Sequence, residues 1–206
     1  YQVTVSDQNG CTDTITVNIT STGGAAVIID STTNVSCNGD SSGSISITGT
    51  GIGLTYLWSN NATTEDISGL IAGTYTVTVT DNSSCVSQTS TIITEPTTVI
   101  ASIASSTSVT CVNGNNGTAT AIGLGGTGGA YSFSWSDIQN QTTTQATGLT
   151  AGVYTVAVTD SNNCTNTTNV TITEASQITA TLTTSPTSCN GGDDGTATII
   201  AGGNPN

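Results

Sequence analysis

The groups in this chain able to do strong acid–base, metal or redox chemistry are thirteen carboxylates, six cysteines and five tyrosines, because it holds no Lys, Arg or His. Asp7, Asp81 and Asp160 are the carboxylates that recur. Each ends an alternating strand and stands four residues before a cysteine, in Tyr1-Gln-Val-Thr-Val-Ser-Asp7-Gln-Asn-Gly-Cys11, Tyr75-Thr-Val-Thr-Val-Thr-Asp81-Asn-Ser-Ser-Cys85 and Tyr154-Thr-Val-Ala-Val-Thr-Asp160-Ser-Asn-Asn-Cys164. An aspartate at such a place either accepts backbone N–H groups and orders the loop, or offers oxygen to calcium, which takes carboxylate and carbonyl ligands. Asp81 and Asp160 are the candidate calcium ligands, and no other cofactor is expected. The loops Cys37-Asn38-Gly39-Asp40 and Asp193-Asp194 also look calcium-like, but their counterpart Asn113-Gly114-Asn115-Asn116 carries no acid, which argues against an obligatory ion there. Glu95 and Glu174 close two repeats and would serve a junction calcium, although the first copy has Ser21 at that place. Glu65-Asp66 is an adjacent acid pair. In a strand the two side chains point to opposite faces, and the later copy has Gln145-Ala146 near that position, so no hydrolytic dyad repeats. The chain reads as no enzyme.

The missing cations exclude further classes. With a formal net charge of -13 nothing neutralises phosphates, so no nucleic-acid partner is expected. Polybasic attraction to anionic lipid, P-loops, Ser-His-Asp triads, Schiff-base lysines and His-ligated zinc are equally absent. The longest apolar run, Ala25 to Ile29, is far below the ~20 residues of a membrane span, so no direct membrane insertion is expected. No signal peptide is visible, and a chain opening at Tyr1 reads as processed or as a window on something longer.

Self-comparison supplies the elements that hold these groups. The Tyr segment recurs at offsets of 74 and 79 residues, Cys37 to Gly43 returns as Cys111 to Gly117 and Cys189 to Gly195, and Trp58-Ser59 returns as Trp135-Ser136. The organisation is therefore the end of one repeat (1–22), two whole repeats (23–96 and 97–175) and the start of another (176–206). Tyr75, Val77 and Val79 alternate with threonines, as do Ile45 and Ile47 with serines; Tyr56 with Trp58 and Phe133 with Trp135 mark further strands. Turn residues such as Asn38-Gly39 and Asn60-Asn61 separate them. The fold class is all-β, tandem immunoglobulin-like antiparallel β-sandwich repeats, with each Trp in core register. Residues 1–22 and 176–206 both lack the Trp strand and its successor, so together they are not expected to rebuild a unit. The chain reads as a stretch of a longer polypeptide and not as a strand-swapped subunit.

The pattern Val-x-Cys-x5-Gly, then Tyr/Phe-x-Trp-Ser, then Gly-Leu-x-Ala-Gly-x-Tyr-x-Val-x-Val-x-Asp-x3-Cys resembles the SprB-type repeat. That repeat belongs to very large surface adhesins of gliding Bacteroidetes, exported by type IX secretion. The resemblance implies an extracellular, cell-surface array with an adhesive or filament-forming role. Its partners would be neighbouring repeats of the same chain and a surface or polysaccharide ligand. A carbohydrate-binding array is the alternative. In place of a Gly-Gly-x-x-Pro-Tyr turn this chain has Gly51-Ile-Gly53-Leu-Thr-Tyr56 and Gly128-Gly129-Ala-Tyr131.

An extracellular setting favours oxidised cysteines. The repeat leaves two sensible sets: Cys37–Cys85 with Cys111–Cys164 inside units, or Cys11–Cys37, Cys85–Cys111 and Cys164–Cys189 between neighbours. The second set separates the sulfurs by a last strand, a linker and a first strand, so the pairing inside units is expected, both cysteines lying at one pole. Nine Asn-x-Ser/Thr sequons follow from the Asn and Ser/Thr content. Asp13-Thr14-Ile15 and Asp30-Ser31-Thr32 fit O-glycosylation at Thr14 and Ser31.

Overall fold

Alternating β-branched and polar residues give a chain of sixteen strands in the computed structural model, which describes residues 1–19 and 23–203; Ser21 lies outside them. The strands are β1 (Gln2–Ser6), β2 (Thr12–Thr16), β3 (Ala26–Thr33), β4 (Gly43–Thr50), β5 (Thr55–Trp58), β6 (Ile67–Leu70), β7 (Gly73–Thr80) and β8 (Val86–Ile93). They continue as β9 (Thr97–Thr107), β10 (Gly117–Gly126), β11 (Ser132–Trp135), β12 (Gln145–Leu149), β13 (Gly152–Thr159), β14 (Thr165–Ile172), β15 (Thr179–Ser185) and β16 (Thr196–Gly202). The chain divides into two compact units, residues 1–35 with 39–95, and residues 36–38 with 96–206.

In the first unit the sheet β3-β4-β6 faces the sheet β5-β7-β8. That is strands A, B and E against C, F and G of an immunoglobulin-like sandwich. Every pairing is antiparallel. Ile45 and Ile47 of β4 meet Val77 and Val79 of β7 in one buried cluster with Trp58, Tyr75, Leu70 and Ile93. The second unit repeats the plan with β9-β10-β12 and β11-β13-β14, closing on Ala119, Ala121, Trp135, Val156, Val158 and Ile172. Both tryptophans are 2 % exposed, and each indole N–H donates to a backbone carbonyl, of Thr64 (2.9 Å) or Thr143 (3.0 Å). The tyrosines that open β7 and β13 form tyrosine corners: Tyr75 donates to Ile71 O (3.1 Å) and Tyr154 to Thr150 O (3.0 Å).

The Cys-x5-Gly spacing has a packing reason. A Cβ on Gly43 would lie 2.8 Å from Leu70 O and 2.9 Å from Ile93 Cγ2, and one on Gly117 would lie 2.8 Å from Leu149 O and Ile172 Cγ2. Glycine lets the start of the second strand approach the opposite sheet this closely.

Two hairpins stand apart from the sandwiches, β1–β2 in the first unit and β15–β16 in the second. Their apolar side chains are exposed.

Candidate functional site

The loop after each Tyr strand is built the same way three times. Asp7 Oδ1 accepts the N–H of Asn9 (2.9 Å) and Cys11 (2.8 Å). Asp81 Oδ1 accepts those of Ser83 (2.9 Å) and Cys85 (2.8 Å), and Asp160 Oδ1 those of Asn162 and Cys164 (both 2.9 Å). The residue before each cysteine (Gly10, Ser84, Asn163) has φ of 82, 65 and 66°, the left-handed turn that swings the two N–H groups onto the carboxylate. This is an Asx turn, and it accounts for the invariant four-residue spacing without an ion. No group of three or more Asp, Glu or Cys close enough to hold a metal occurs among the described residues.

Asp160 is engaged further. Its Oδ2 accepts the backbone N–H (3.0 Å) and hydroxyl (3.2 Å) of Thr127, in the Gly-rich turn that follows β10. The Thr127 N–H, with those of Cys164 and Asn162, outweighs partial burial and holds the Asp160 carboxyl below the usual aspartate range. Asp137 is the second buried acid, unmarked by any repeat because its counterpart is Asn60. Burial pushes its carboxyl up, but the side-chain amide and N–H of Gln141 and the N–H of Gln139 prevail and lower it.

The closing glutamates serve the other loop. Glu95 Oε2 accepts the N–H of Gly39 (2.6 Å) and Glu174 Oε2 that of Asn113 (2.9 Å), each two residues past a cysteine, where φ is 79 and 58°. The sequence spacing marked these acids; that each one closes the Cys-loop of its own repeat needs the fold. Glu65 Oε1 accepts from Gly49 N (3.3 Å) and Tyr56 OH (2.9 Å), while Asp66 Oδ1 accepts from Ile47 N (3.0 Å). Burial, then the Glu65 carboxylate, raises the Tyr56 phenol. Thr14 lies exposed on β2 with its hydroxyl 3.0 Å from that of Thr4, and Ser31 lies exposed on β3.

The cysteines correct the expected pairing. Cys37 is bonded to Cys164, with Cα atoms 5.6 Å apart, and Cys11, Cys85, Cys111 and Cys189 are free and exposed. Neither Cys37–Cys85 nor Cys111–Cys164 forms, because the two cysteines of a repeat lie at opposite poles. Cys85 sits against Gly24, just before β3, whereas Cys37 follows the far end of that strand. Eight residues of strand separate them by about 26 Å. In the second unit Asn166, two past Cys164, donates to Val99 O (2.7 Å) near the start of β9, and Cys111 follows its end. The pairing inside units wrongly placed the Cys-loop and the Asp-x3-Cys loop at one pole. The bonded segment Ser36–Asn38 belongs to the second compact unit: Ser36 O accepts from Asn162 Nδ2 (3.2 Å), and Asn38 bonds Pro96 O (3.1 Å) and Thr98 Oγ1 (2.9 Å). The disulfide thus joins the first cysteine of one sequence repeat to the loop cysteine of the next.

Fold and loops together define a tandem array of immunoglobulin-like sandwiches carrying one Cys-loop and one Asp-x3-Cys loop per repeat. The particular repeat it matches is the SprB repeat, whose family model aligns with residues 103–140, from within β9 to the turn after Trp135. No curated protein matches. Solved structures similar to it include immunoglobulin domains 1 and 2 of DIP-gamma, at 12% identity over 74% of this chain and 98% of that one, TM-score 0.34. Sidekick-1 immunoglobulin domains 1–5 match at 12% identity over 88% of this chain and 47% of that one, TM-score 0.32.

Proposed function

We propose that the chain is a structural and adhesive segment of a secreted cell-surface filament, without catalysis, in which 23–96 and 97–175 are the repeating modules and 1–22 and 176–206 are portions of further ones. The observation that carries this reading is the Cys37–Cys164 bond between successive repeats. A bond of that kind belongs to an oxidising, extracellular compartment and gives a pulled chain a covalent short cut. The acidic, Lys-free surface keeps such segments soluble and mutually repelling. With both tryptophans in the core, neither supplies the exposed aromatic platform a sugar-binding module needs. The recurring aspartates order loops, so chelation by EDTA leaves the melting temperature unchanged; a drop of many degrees would reassign Asp81 and Asp160 to calcium.

Force spectroscopy on the full chain tests the mechanical part. With the bonded cysteines 127 positions apart in sequence, oxidised chains release about 430 Å less contour length on unfolding than reduced ones. Equal lengths would remove the short cut. Microspheres coated with the chain test adhesion: retention under shear no better than on uncoated spheres, across mineral, polysaccharide and cell surfaces, would overturn that part.

A further inference from the structure

Composition accounts for the nine Asn-x-Ser/Thr sequons as a number, but the fold does not treat them alike. Asn61-Ala62-Thr63 and Asn140-Gln141-Thr142 stand at one repeat position, 79 residues apart, the offset that also relates Tyr75 to Tyr154. No other sequon recurs in a second repeat. Both lie in the turn that follows the Trp strand, and that turn is closed the same way twice. Trp58 N–H donates to Ala62 O and Trp135 N–H to Gln141 O (both 2.9 Å). A side chain early in the turn, Asn60 or Asp137, accepts on Oδ1 the N–H of Ala62 (3.2 Å) or Gln141 (3.0 Å).

Asn61 and Asn140 fill the left-handed position of this turn, with φ of 68 and 50°, where asparagine is among the few residues tolerated. The turn thus has its own reason to hold an asparagine. It has none for the threonine two residues on. Thr63 and Thr142 are exposed, and neither their hydroxyls nor the two asparagine amides are hydrogen-bonded among the described residues. In other sequons the amide is engaged. Asn34 Oδ1 accepts the Thr94 N–H (2.9 Å), and both ends of the Asn116 amide hold Thr110. Asn166 donates to Val99 O (2.7 Å), and Asn169 accepts the Thr155 hydroxyl (2.7 Å).

We propose that Asn61 and Asn140 are N-glycosylation sites, one on each complete repeat, and that the sequons with engaged amides stay bare. The hydroxyl two residues on marks the acceptor asparagine. The donor is a polyprenyl diphosphate glycan. Asparagine Nδ2 forms a bond to C1 of the first sugar while the bond from C1 to the diphosphate oxygen breaks. Polyprenyl diphosphate leaves, the amide gives up one proton, and nothing is oxidised or reduced. Each Trp indole donates to the carbonyl of Thr64 or Thr143, three residues past the acceptor, so the glycan is carried by a backbone anchored to the core. The proposal rests on the secreted reading, because such acceptors are used on surface loops of secreted proteins.

The test uses the protein isolated from the cells that make it, read by mass spectrometry. Cleavage before aspartate gives fragments 40–65 and 137–159, each holding a single sequon. The expected result is a glycan mass on both, placed on Asn61 and Asn140 by electron-transfer fragmentation, with Asn34, Asn116, Asn166 and Asn169 unmodified. In the same cells Thr63→Ala and Thr142→Ala each lose the mass from their own fragment, whereas Thr63→Ser and Thr142→Ser keep it. The Cys37–Cys164 bond forms in all four variants, which shows that they fold. Either asparagine found bare in the unaltered protein overturns the proposal. So does a mass carried on Thr63 or Thr142, or equal modification of the engaged sequons. The disulfide tells two failures apart: bare asparagines with the bond formed remove the glycosylation alone, while bare asparagines with both cysteines reduced, in protein held in the cytoplasm, remove the secreted reading as well.

Discussion

The loops Asp81–Cys85 and Asp160–Cys164 have the same spacing, the same pair of N–H groups on Oδ1 and the same left-handed residue before the cysteine. Beyond that they diverge. Asp160 uses its second oxygen on Thr127, and its cysteine is bonded to Cys37, while Cys85 is free and exposed. In the first repeat the turn after β4 meets the loop through a backbone hydrogen bond, Ile52 O accepting from Asn82 N (3.0 Å). The difference traces to the longer Gly-rich stretch Gly123 to Gly129, the end of β10 and the turn after it, whose threonine reaches the carboxylate. The loop's own shape is local, and its engagement is contributed by whatever sequence happens to face it.

Breaking the bond should produce the largest effect. Closing 127 residues corresponds to about 5 kcal/mol by chain entropy, as an upper figure. Cys164→Ser or reduction should therefore lower the melting temperature of the full chain strongly in calorimetry, whereas Cys85→Ser should stay within about 0.5 kcal/mol. Equal losses for the two variants would erase the distinction between the loops.

A smaller effect is expected at the turn that faces each loop. Gly126 has φ 63°, and a Cβ there would run into the Asp160 carboxylate; Gly53 has φ 64°, and its Cβ would meet only the side chain of Asn82 at 3.2 Å. Alanine at either position carries the left-handed strain. Gly126→Ala should add overpacking of about 1–3 kcal/mol, read as a lower urea midpoint than that of Gly53→Ala. Matched midpoints would mean that Thr127 and Asp160 are not held together in solution.

Much of this was legible in the sequence. The Tyr-x-Val-x-Val alternation, the Trp strands and the turn residues specify two sandwiches, since period and turn chemistry are local signals. The Asp-x3-Cys spacing likewise announces its own Asx turn. What the sequence reading missed depends on which elements share a pole. The cysteine pairing failed because β3 and β9 run the length of the sandwich and carry the Cys-loop away from the Asp loop. Asp137 went unseen because one copy has asparagine there, so no recurrence flagged it, although the Asp-x-Gln-x-Gln run around it supplies its donors.

Acid should distinguish the repeats most finely. The N–H and hydroxyl donors on Asp160, and Gln141 with Gln139 on Asp137, hold both carboxyls below their unfolded value of about 3.9. As pH falls, the unfolded chain therefore binds these two protons before the folded repeat does. The stability they contribute is complete well above pH 4, begins to fall as the unfolded carboxyls protonate, and is gone below the folded values. Both acids lie in the 97–175 repeat. With Trp58→Phe leaving Trp135 as the reporter, the melting temperature of that repeat should decline from about pH 5 downward. Adding Asp137→Asn and Asp160→Asn should lower the plateau at neutral pH, because an amide replaces one acceptor with a donor facing N–H groups. The same pair should flatten the acid slope, because the groups that take up the protons are gone. A double variant that keeps the original slope would show that acid sensitivity resides in other carboxylates, and that the network around Asp160 sets the shape of its loop without coupling it to pH.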